Sequence, residues 1–452
     1  MQSINPAFNS LIREYPGHNA AETSAIIEQT WLAGLSWKGT GFAYRGSLFR
    51  NLAGLLRADK DHLARLMTDE MGKIIRESYA EIEKCALSCE YYAEHAESLL
   101  KDEIVATDAI RSLVVFQPLG LILAVMPWNF PFWQVFRFAA PSLMAGNVAV
   151  LKHASNVPGC ALAIEELFSK AGFPENVFRT LMIPSSMVEA VIANSRVQAV
   201  TLTGSGPAGS SVASAAAKHI KKAVLELGGS DAFIVLEDAG LERAVQVAVT
   251  ARMINQGQSC IAAKRFIIIE SIVEEFTSRL HKAVLELKTG NPMDLSTDIG
   301  PLARPDLVGD IERQVQESIK AGAKLICGGH RPDRPGCYYL PTILCNVKKG
   351  MAVYHEETFG PVFSIIPVKS EEEAIAVAND SEFGLGGSVW TRDQERGEKL
   401  ARKVETGAMF INGLTKSDPR LPFGGIKKSG YGRELASYGI REFVNIKTIW
   451  IG

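Results

Sequence analysis

Cys260 ends the run Asn255-Gln256-Gly257-Gln258-Ser259-Cys260, made of amides, one glycine and a small hydroxyl. Packing cysteines sit among apolar neighbours. A thiol beside Ser and Gly, just past a small-residue turn, is placed to react as a thiolate. Upstream, Leu225-Glu226-Leu227-Gly228-Gly229 sets a carboxylate between apolar residues and a glycine pair. Such surroundings raise an acid's pKa toward the working range of a base. Pro127-Trp128-Asn129-Phe130-Pro131 adds a neutral amide on a rigid turn. Nucleophile, base and amide donor together suit attack on a carbonyl carbon, with the amide and a backbone N–H facing the developing alkoxide. Each residue also has a plainer reading. Cys260 can be a core thiol, and Asn129 can cap the helix that begins near Pro131. Glu226 follows Gly204-Ser205-Gly206-Pro207-Ala208-Gly209 by 22 residues from its first glycine, the spacing of a ribose-binding acid after a G-x-G-x-x-G turn.

The elements that must hold these groups are legible in outline. Residues 20–100 read mostly as helix, with Leu48, Leu52, Leu55 and Leu56 at helical spacing. From about residue 113 short apolar runs alternate with helical stretches. Leu121 to Met126, Val148 to Leu151 and Ala199 to Thr203 are strands; Phe132 to Leu143 and Gly159 to Ala171 are helices. A second series follows Ser230, with strands Ala232 to Leu236 and Arg265 to Ile269 and helices Leu241 to Asn255 and Ile272 to Leu287. Alternation of this kind predicts parallel sheets covered on both faces. Lys152 lies at the carboxyl end of the second strand, where doubly wound folds receive an adenosine, and Ser155 stands three residues on. Otherwise Lys152 merely ends a strand at the surface. Trp133 and Arg137 are four apart on one helix face, an aromatic wall with a cation beyond it. That pair suits a small substrate with a distal carboxylate; the alternative is an internal ion pair of Arg137.

The runs Pro127–Pro131, Leu225–Gly229 and Asn255–Cys260, with Glu357-Thr358-Phe359-Gly360-Pro361 and Pro422-Phe423-Gly424-Gly425, resemble the aldehyde dehydrogenase superfamily in order and spacing, from about residue 20 onward. Within it, Trp133-Gln134-Val135-Phe136-Arg137 and Lys416-Ser417-Asp418-Pro419-Arg420 most resemble the shorter bacterial succinate-semialdehyde dehydrogenases. The resemblance implies an aldehyde-dehydrogenase-like α/β fold of two doubly wound parallel-sheet domains with a β oligomerisation arm. Residues 1–101 and 120–228 would form the dinucleotide-binding domain, 229–428 the catalytic domain, and 102–119 with 437–452 the arm. It makes Cys260 the nucleophile, Glu226 the base for thioester hydrolysis and Asn129 the oxyanion donor. It puts Trp128, Thr203, Gly204, Ser205 and Leu227 beside the cofactor, Glu357 and Phe359 at the nicotinamide ribose and ring, and Ser417 on the wall opposite Trp133. Gly206 is then incidental. Many NAD-preferring relatives carry Glu where Ser155 stands, so NADP is at least accommodated beside NAD. The expected substrate is succinate semialdehyde or another small aldehyde. Two departures are expected to matter. Phe138 replaces a lysine of many family members, and Ile261 follows Cys260, so no second thiol adjoins the first.

Composition narrows the rest. The 452 residues exceed one ordinary domain, and 47% hydrophobic with 22% charged residues fit a globular enzyme. A net charge of −2 implies no nucleic-acid partner. Seven cysteines without a CxxC pair point to free thiols in the cytoplasm. The longest uncharged run, Ser112 to Phe136, contains three prolines and cannot be a membrane span. His355-Glu356 looks like a metal fragment but lacks a third ligand at useful spacing, so no metal is expected. A cofactor-independent cysteine hydrolase would need a histidine; none of the eight stands in a recognisable Cys-His motif. A scaffold without activity would not need Cys260, Glu226 and Asn129 together. The expected assembly is a homodimer or a dimer of dimers.

Overall fold

Asn19 starts the helical layer with a reciprocal cap. Its side chain accepts the Glu22 N–H at 3.0 Å, and the Glu22 carboxylate accepts the Asn19 N–H at 2.7 Å. In the computed structural model, which describes residues 1–452, four helices follow: Ala20–Trp37, Phe42–Ala58, Lys60–Met71 and Ile75–Leu99. Leu48, Leu52 and Leu56 are buried, so the apolar stripe read in the sequence is the face that packs.

The first sheet has six strands in the order Gly430–Tyr431, Lys222–Glu226, Val197–Thr203, Leu121–Met126, Val148–His153, Phe178–Thr180. All are parallel except Gly430–Tyr431. From Leu121–Met126 the chain proceeds outward to one side, and from Val197–Thr203 to the other. The two strands are neighbours, so a crevice opens between their carboxyl ends. The second sheet has seven strands, ordered Lys324–Cys327, Thr342–Cys345, Val362–Val368, Ala263–Ile269, Asp231–Val235, Gly387–Trp390, Phe410–Ile411. Its edge strand Lys324–Cys327 is antiparallel, so this sheet is mixed rather than wholly parallel as expected. Ala232 and Ile234 join one apolar cluster, Phe233 and Val235 another, which is what a sheet covered on both faces requires.

A third sheet joins Glu103–Val105, Arg111–Pro118 and Val444–Ile451, all antiparallel. It runs in register from Val444 opposite Pro118 to Ile451 opposite Arg111. The N-terminal hairpin Gln2–Asn5 and Ser10–Glu14 has no clear alternation in the sequence to announce it. Its turn is held by the Cys337 N–H, which donates to the Pro6 carbonyl at 2.8 Å. No helix is long and apolar enough to cross a membrane.

Candidate active site

The turn that carries Cys260 is built from strained backbone. Asn255 and Gln256 lie in the left-handed region, at φ 49° and 55°. Gly257 follows at φ 80°, and a Cβ there would stand 2.3 Å from the Gly360 carbonyl oxygen. Side chains from distant elements hold this turn. Glu77 accepts the Asn255 N–H at 2.7 Å, and the Asn255 amide donates to the Asn129 carbonyl at 2.7 Å. Arg252 donates to the Gly257 carbonyl at 2.6 Å. Lys264, fully buried at the start of its strand, donates to the carbonyls of Ser259, Cys260 and Ala262 at 2.9, 2.8 and 3.2 Å. Cys260 itself is half-buried, and burial pushes its thiol up to about 12; Arg137 and Lys264 pull it down, while Glu357 and Glu226 oppose them.

Asn129 is buried, and its amide donates to the Gln258 carbonyl at 3.1 Å, which sets it against the nucleophile turn. It does not cap the helix Trp133–Met144. That task falls to Glu81, whose Oε1 accepts the N–H groups of Phe132 and Trp133, each at 2.9 Å. Glu81 is in turn paired with buried Lys73.

Glu226 closes the strand Lys222–Glu226, one step from Thr203 on the neighbouring strand. It is 2% exposed, and neither carboxylate oxygen has a hydrogen-bond partner. Burial raises its pKa to about 8, helped by the Glu434 carboxylate and opposed by Arg137. The glycine pair after it lets chain pass where no side chain fits. A Cβ on Gly228 would lie 2.3 Å from Glu357 Oε2, and one on Gly229 would lie 2.5 Å from the Cys260 carbonyl oxygen. At Gly206 a Cβ would meet nothing, so the turn's match to G-x-G-x-x-G answers no steric need.

Arg137 has the internal ion pair that was its alternative reading. It is 2% exposed, paired through Nε with Glu434, and stacked 4.7 Å from the Phe423 ring centroid. Its Nη2 donates to Thr203 Oγ1 at 3.2 Å. The guanidinium is therefore not the free cation that the sequence suggested, although Trp133 does share its helix face. Phe138 is buried edge-on to Phe443, with ring centroids 5.7 Å apart. Ser417 is buried and accepts a hydrogen bond from Lys84 Nζ at 2.7 Å.

The crevice has groups that fit a dinucleotide. Lys152 is buried at the carboxyl end of its strand without an ion pair, and burial lowers its pKa. An unpaired, desolvated ammonium is suited to an anion. Ser155 is exposed just beyond it. Ser205 precedes the helix Gly206–Lys218 without a side-chain cap, leaving that helix's first N–H groups for a phosphate. Leu227 packs where a Cβ on Gly209 would fall, closing the base of the turn after Thr203 and Gly204. Trp128 and Phe359 stand edge to face, centroids 5.8 Å apart. Glu357 Oε1 accepts the Gly229 N–H at 3.0 Å, which fixes the carboxylate beside the crevice. His355 and Glu356 are otherwise engaged: the His355 ring accepts the Gly350 N–H at 2.9 Å, and Glu356 pairs with Arg313.

A half-buried thiol on a braced turn, within electrostatic reach of buried Glu226 and beside groups that fit a dinucleotide, suits an oxidoreductase. The model of the aldehyde dehydrogenase family matches residues 1–449. A probable NADP(+) succinate-semialdehyde dehydrogenase of Synechocystis sp. is 57% identical over 449 residues, covering 99% of each chain. NADP(+) succinate-semialdehyde dehydrogenase 1 of Mycobacterium tuberculosis is 48% identical over 452 residues, again 99% of each. The crystal structure of the succinic semialdehyde dehydrogenase from Streptococcus pyogenes in complex with NADP+ matches with a TM-score of 0.98 at 40% identity, covering 100% of this chain and 99% of that one. The chain belongs to the aldehyde dehydrogenase family.

The site residues that the sequence did not reveal are Glu77, Glu81, Lys84, Arg252, Lys264 and Glu434. All are charged, and all but Lys84 act on backbone or on another charge inside the fold. A buried charge leaves no mark in periodicity. The one available signal was Lys264-Arg265 at the head of an otherwise apolar strand.

Proposed function

We propose that this enzyme oxidises succinate semialdehyde to succinate with NADP, and with NAD less readily. In this reading the Cys260 thiolate attacks the aldehyde carbon and forms a thiohemiacetal. The second N–H of the Asn129 amide and the backbone N–H of Cys260 receive the oxyanion. A bound nicotinamide would accept the hydride, leaving a thioester on Cys260. Glu226 then takes a proton from water, which attacks the thioester and releases the acid. Trp133, Arg137 and Ser417 wall the substrate. The observation that carries the reading is a braced Cys260 together with a buried Glu226 whose oxygens have no hydrogen-bond partner and whose pKa burial raises to about 8. Lys152 and Ser155, with no carboxylate beside them, support NADP. The relatives named above point the same way.

The apolar arm supports a homodimer or dimer of dimers, because Ile104, Ile446 and Trp450 are each more than half exposed. Seven free thiols suit the cytoplasm.

The test measures kcat/KM for succinate semialdehyde and butanal, each with NADP and NAD, in the parent and in Ser155→Glu. The parent should prefer the carboxylated aldehyde at least tenfold, about what one charge-assisted contact provides. Ser155→Glu should shift preference toward NAD by roughly 5- to 150-fold, the effect of about 1–3 kcal/mol of like-charge contact. Parity between the aldehydes overturns the substrate, and an unmoved cofactor ratio overturns the selector.

A further inference from the structure

The helix Ile75–Leu99 meets the site along a single stripe. Glu77, Glu81 and Lys84 are spaced four and three residues apart, so they share a face. Each reaches a different wall. Glu77 holds the nucleophile turn at Asn255, and Glu81 holds the segment after Asn129 at Phe132 and Trp133. Lys84 donates to Ser417 Oγ at 2.7 Å and stands 4.2 Å from the Trp133 ring centroid.

The first two charges are spent on backbone groups. Lys84 is different. Its ammonium has three N–H groups, of which one goes to Ser417 and one face lies on an aromatic ring. No carboxylate pairs with it: Glu81 pairs with Lys73, and Asp418 pairs with Arg420. The other cations around the nucleophile have their acceptors. Arg137 has Glu434, while Lys264 and Arg252 have carbonyls. Trp133 and Ser417, the two residues Lys84 touches, are the two walls assigned to the substrate. Arg137, four residues on from Trp133 in the same helix, acts electrostatically on both Lys84 and Cys260.

We propose that Lys84 is the specificity-determining cation of this site, and that its ammonium, held by Ser417 over the Trp133 ring, receives the distal carboxylate of the aldehyde. The proposal rests on the reading of the substrate as an ω-carboxy aldehyde. Arg137, already neutralised by Glu434, then supports the wall and contributes less to the choice of substrate. Burial, with the Arg137 charge second, lowers the Lys84 pKa to about 8; Cys85, Glu81 and Asp418 act in the other direction. A carboxylate arriving beside such a group restores the charged form.

The experiment measures the ratio of kcat/KM for succinate semialdehyde to that for butanal, in the parent, Lys84→Met and Lys84→Arg. Methionine keeps the unbranched stem on Trp133 and removes the charge. The ratio should fall about 10- to 100-fold in Lys84→Met, the loss of one charge-assisted contact, and stay within about threefold of the parent in Lys84→Arg. A folding defect lowers both substrates together and leaves the ratio alone. In the parent the ratio should fall as pH rises through about 8, where Lys84 loses its proton, and in Lys84→Arg it should not. If the parent itself shows no preference, the substrate reading fails. If the parent prefers the carboxylated aldehyde and Lys84→Met keeps that preference, Lys84 is not the anchor. A ratio that falls equally in Lys84→Arg makes Lys84 a packing residue and overturns the proposal.

Discussion

The two sides of the reaction centre are built on opposite principles. Around Cys260 the backbone is cross-braced, with Lys264 on three carbonyls, Arg252 on Gly257 and Glu77 on the Asn255 N–H. Around Glu226 there is almost nothing of the kind. Its oxygens are buried without partners, and two glycines follow it. A nucleophile must stand at one point relative to its oxyanion donors, and a misplacement of about 1 Å can cost about a hundredfold in rate. A base that serves a later step gains from being able to turn. In the proposed mechanism buried charge is thus scaffolding on one side and the reactive group on the other.

The largest effect should come from the loose side. Glu226→Gln removes the base but keeps its shape. Steady turnover should fall by about 10²- to 10⁴-fold, the usual contribution of a positioned base. The first turnover, which needs only Cys260, should still give a burst of reduced cofactor in rapid mixing. A lost burst together with weakened cofactor binding would return Glu226 to the role of ribose ligand. Stability supplies a second reading. The carboxyl binds its proton more tightly folded, at about 8, than unfolded, at 4.5, so its ionisation destabilises the fold as pH rises between those values. Every tenfold gain in proton affinity on folding corresponds to about 1.4 kcal/mol. Thermal melting of Glu226→Gln relative to the parent should therefore improve from about pH 5 to about pH 9 and level off above. A flat difference would mean that the carboxylate is solvated or paired in solution.

The braced side should respond through geometry. At Gly257→Ala the new methyl meets the Gly360 carbonyl, in a backbone conformation that alanine disfavours. The turn must shift, and kcat should fall on the order of a hundredfold while cofactor affinity changes little. Titration of Cys260 with iodoacetamide at several pH values should show an altered reactivity, since the thiol leaves the field of Lys264. A variant with parent kcat would mean that the turn tolerates displacement and that the bracing serves stability alone.

What could be read from the sequence follows the same division. The two α/β series and the position of the crevice are legible, because apolar periodicity is a local signal; the roles expected of Cys260, Glu226 and Asn129 rest on the resemblance of their motifs to the family. The strand heads are less so. Ala263–Ile269 begins two residues before the first expected position, since Lys264 is buried by its bonds to carbonyls that the sequence cannot show to be near. Arg265 is buried for the same reason, donating to Ser230, Val377 and Ala378. The stripe Glu77, Glu81, Lys84 is invisible because charges at helical spacing normally mark a solvated face. The cap on Trp133–Met144 comes from Glu81, more than a helix away in the chain, so the capping role that the sequence allows Asn129 is performed by another residue. Arg137 reads as free in the sequence because Glu434, its partner, lies almost three hundred residues on.

The smallest effect sharpens the contrast most, because the role of Glu226 as a base depends on refusing a familiar motif. If Gly204-Ser205-Gly206-Pro207-Ala208-Gly209 were a pyrophosphate loop of the G-x-G-x-x-G kind, its second glycine would let the backbone approach the phosphates, and a methyl there would hold them off. The structure gives Gly206 no such constraint. Its Cβ direction is open, its φ is not left-handed, and it stands at the first position of a helix, where alanine is at least as well tolerated. Gly206→Ala should therefore leave the cofactor Kd within about twofold and move stability by less than about 0.5 kcal/mol, as surface substitutions away from special features do. Isothermal titration with NADP and a melting curve suffice to check it. A tenfold rise in Kd would place phosphate against Gly206, and with it Glu226 at the ribose. The unbonded carboxylate would then be an empty ligand site and no longer a base, and the difference between the two sides of the centre would need another explanation.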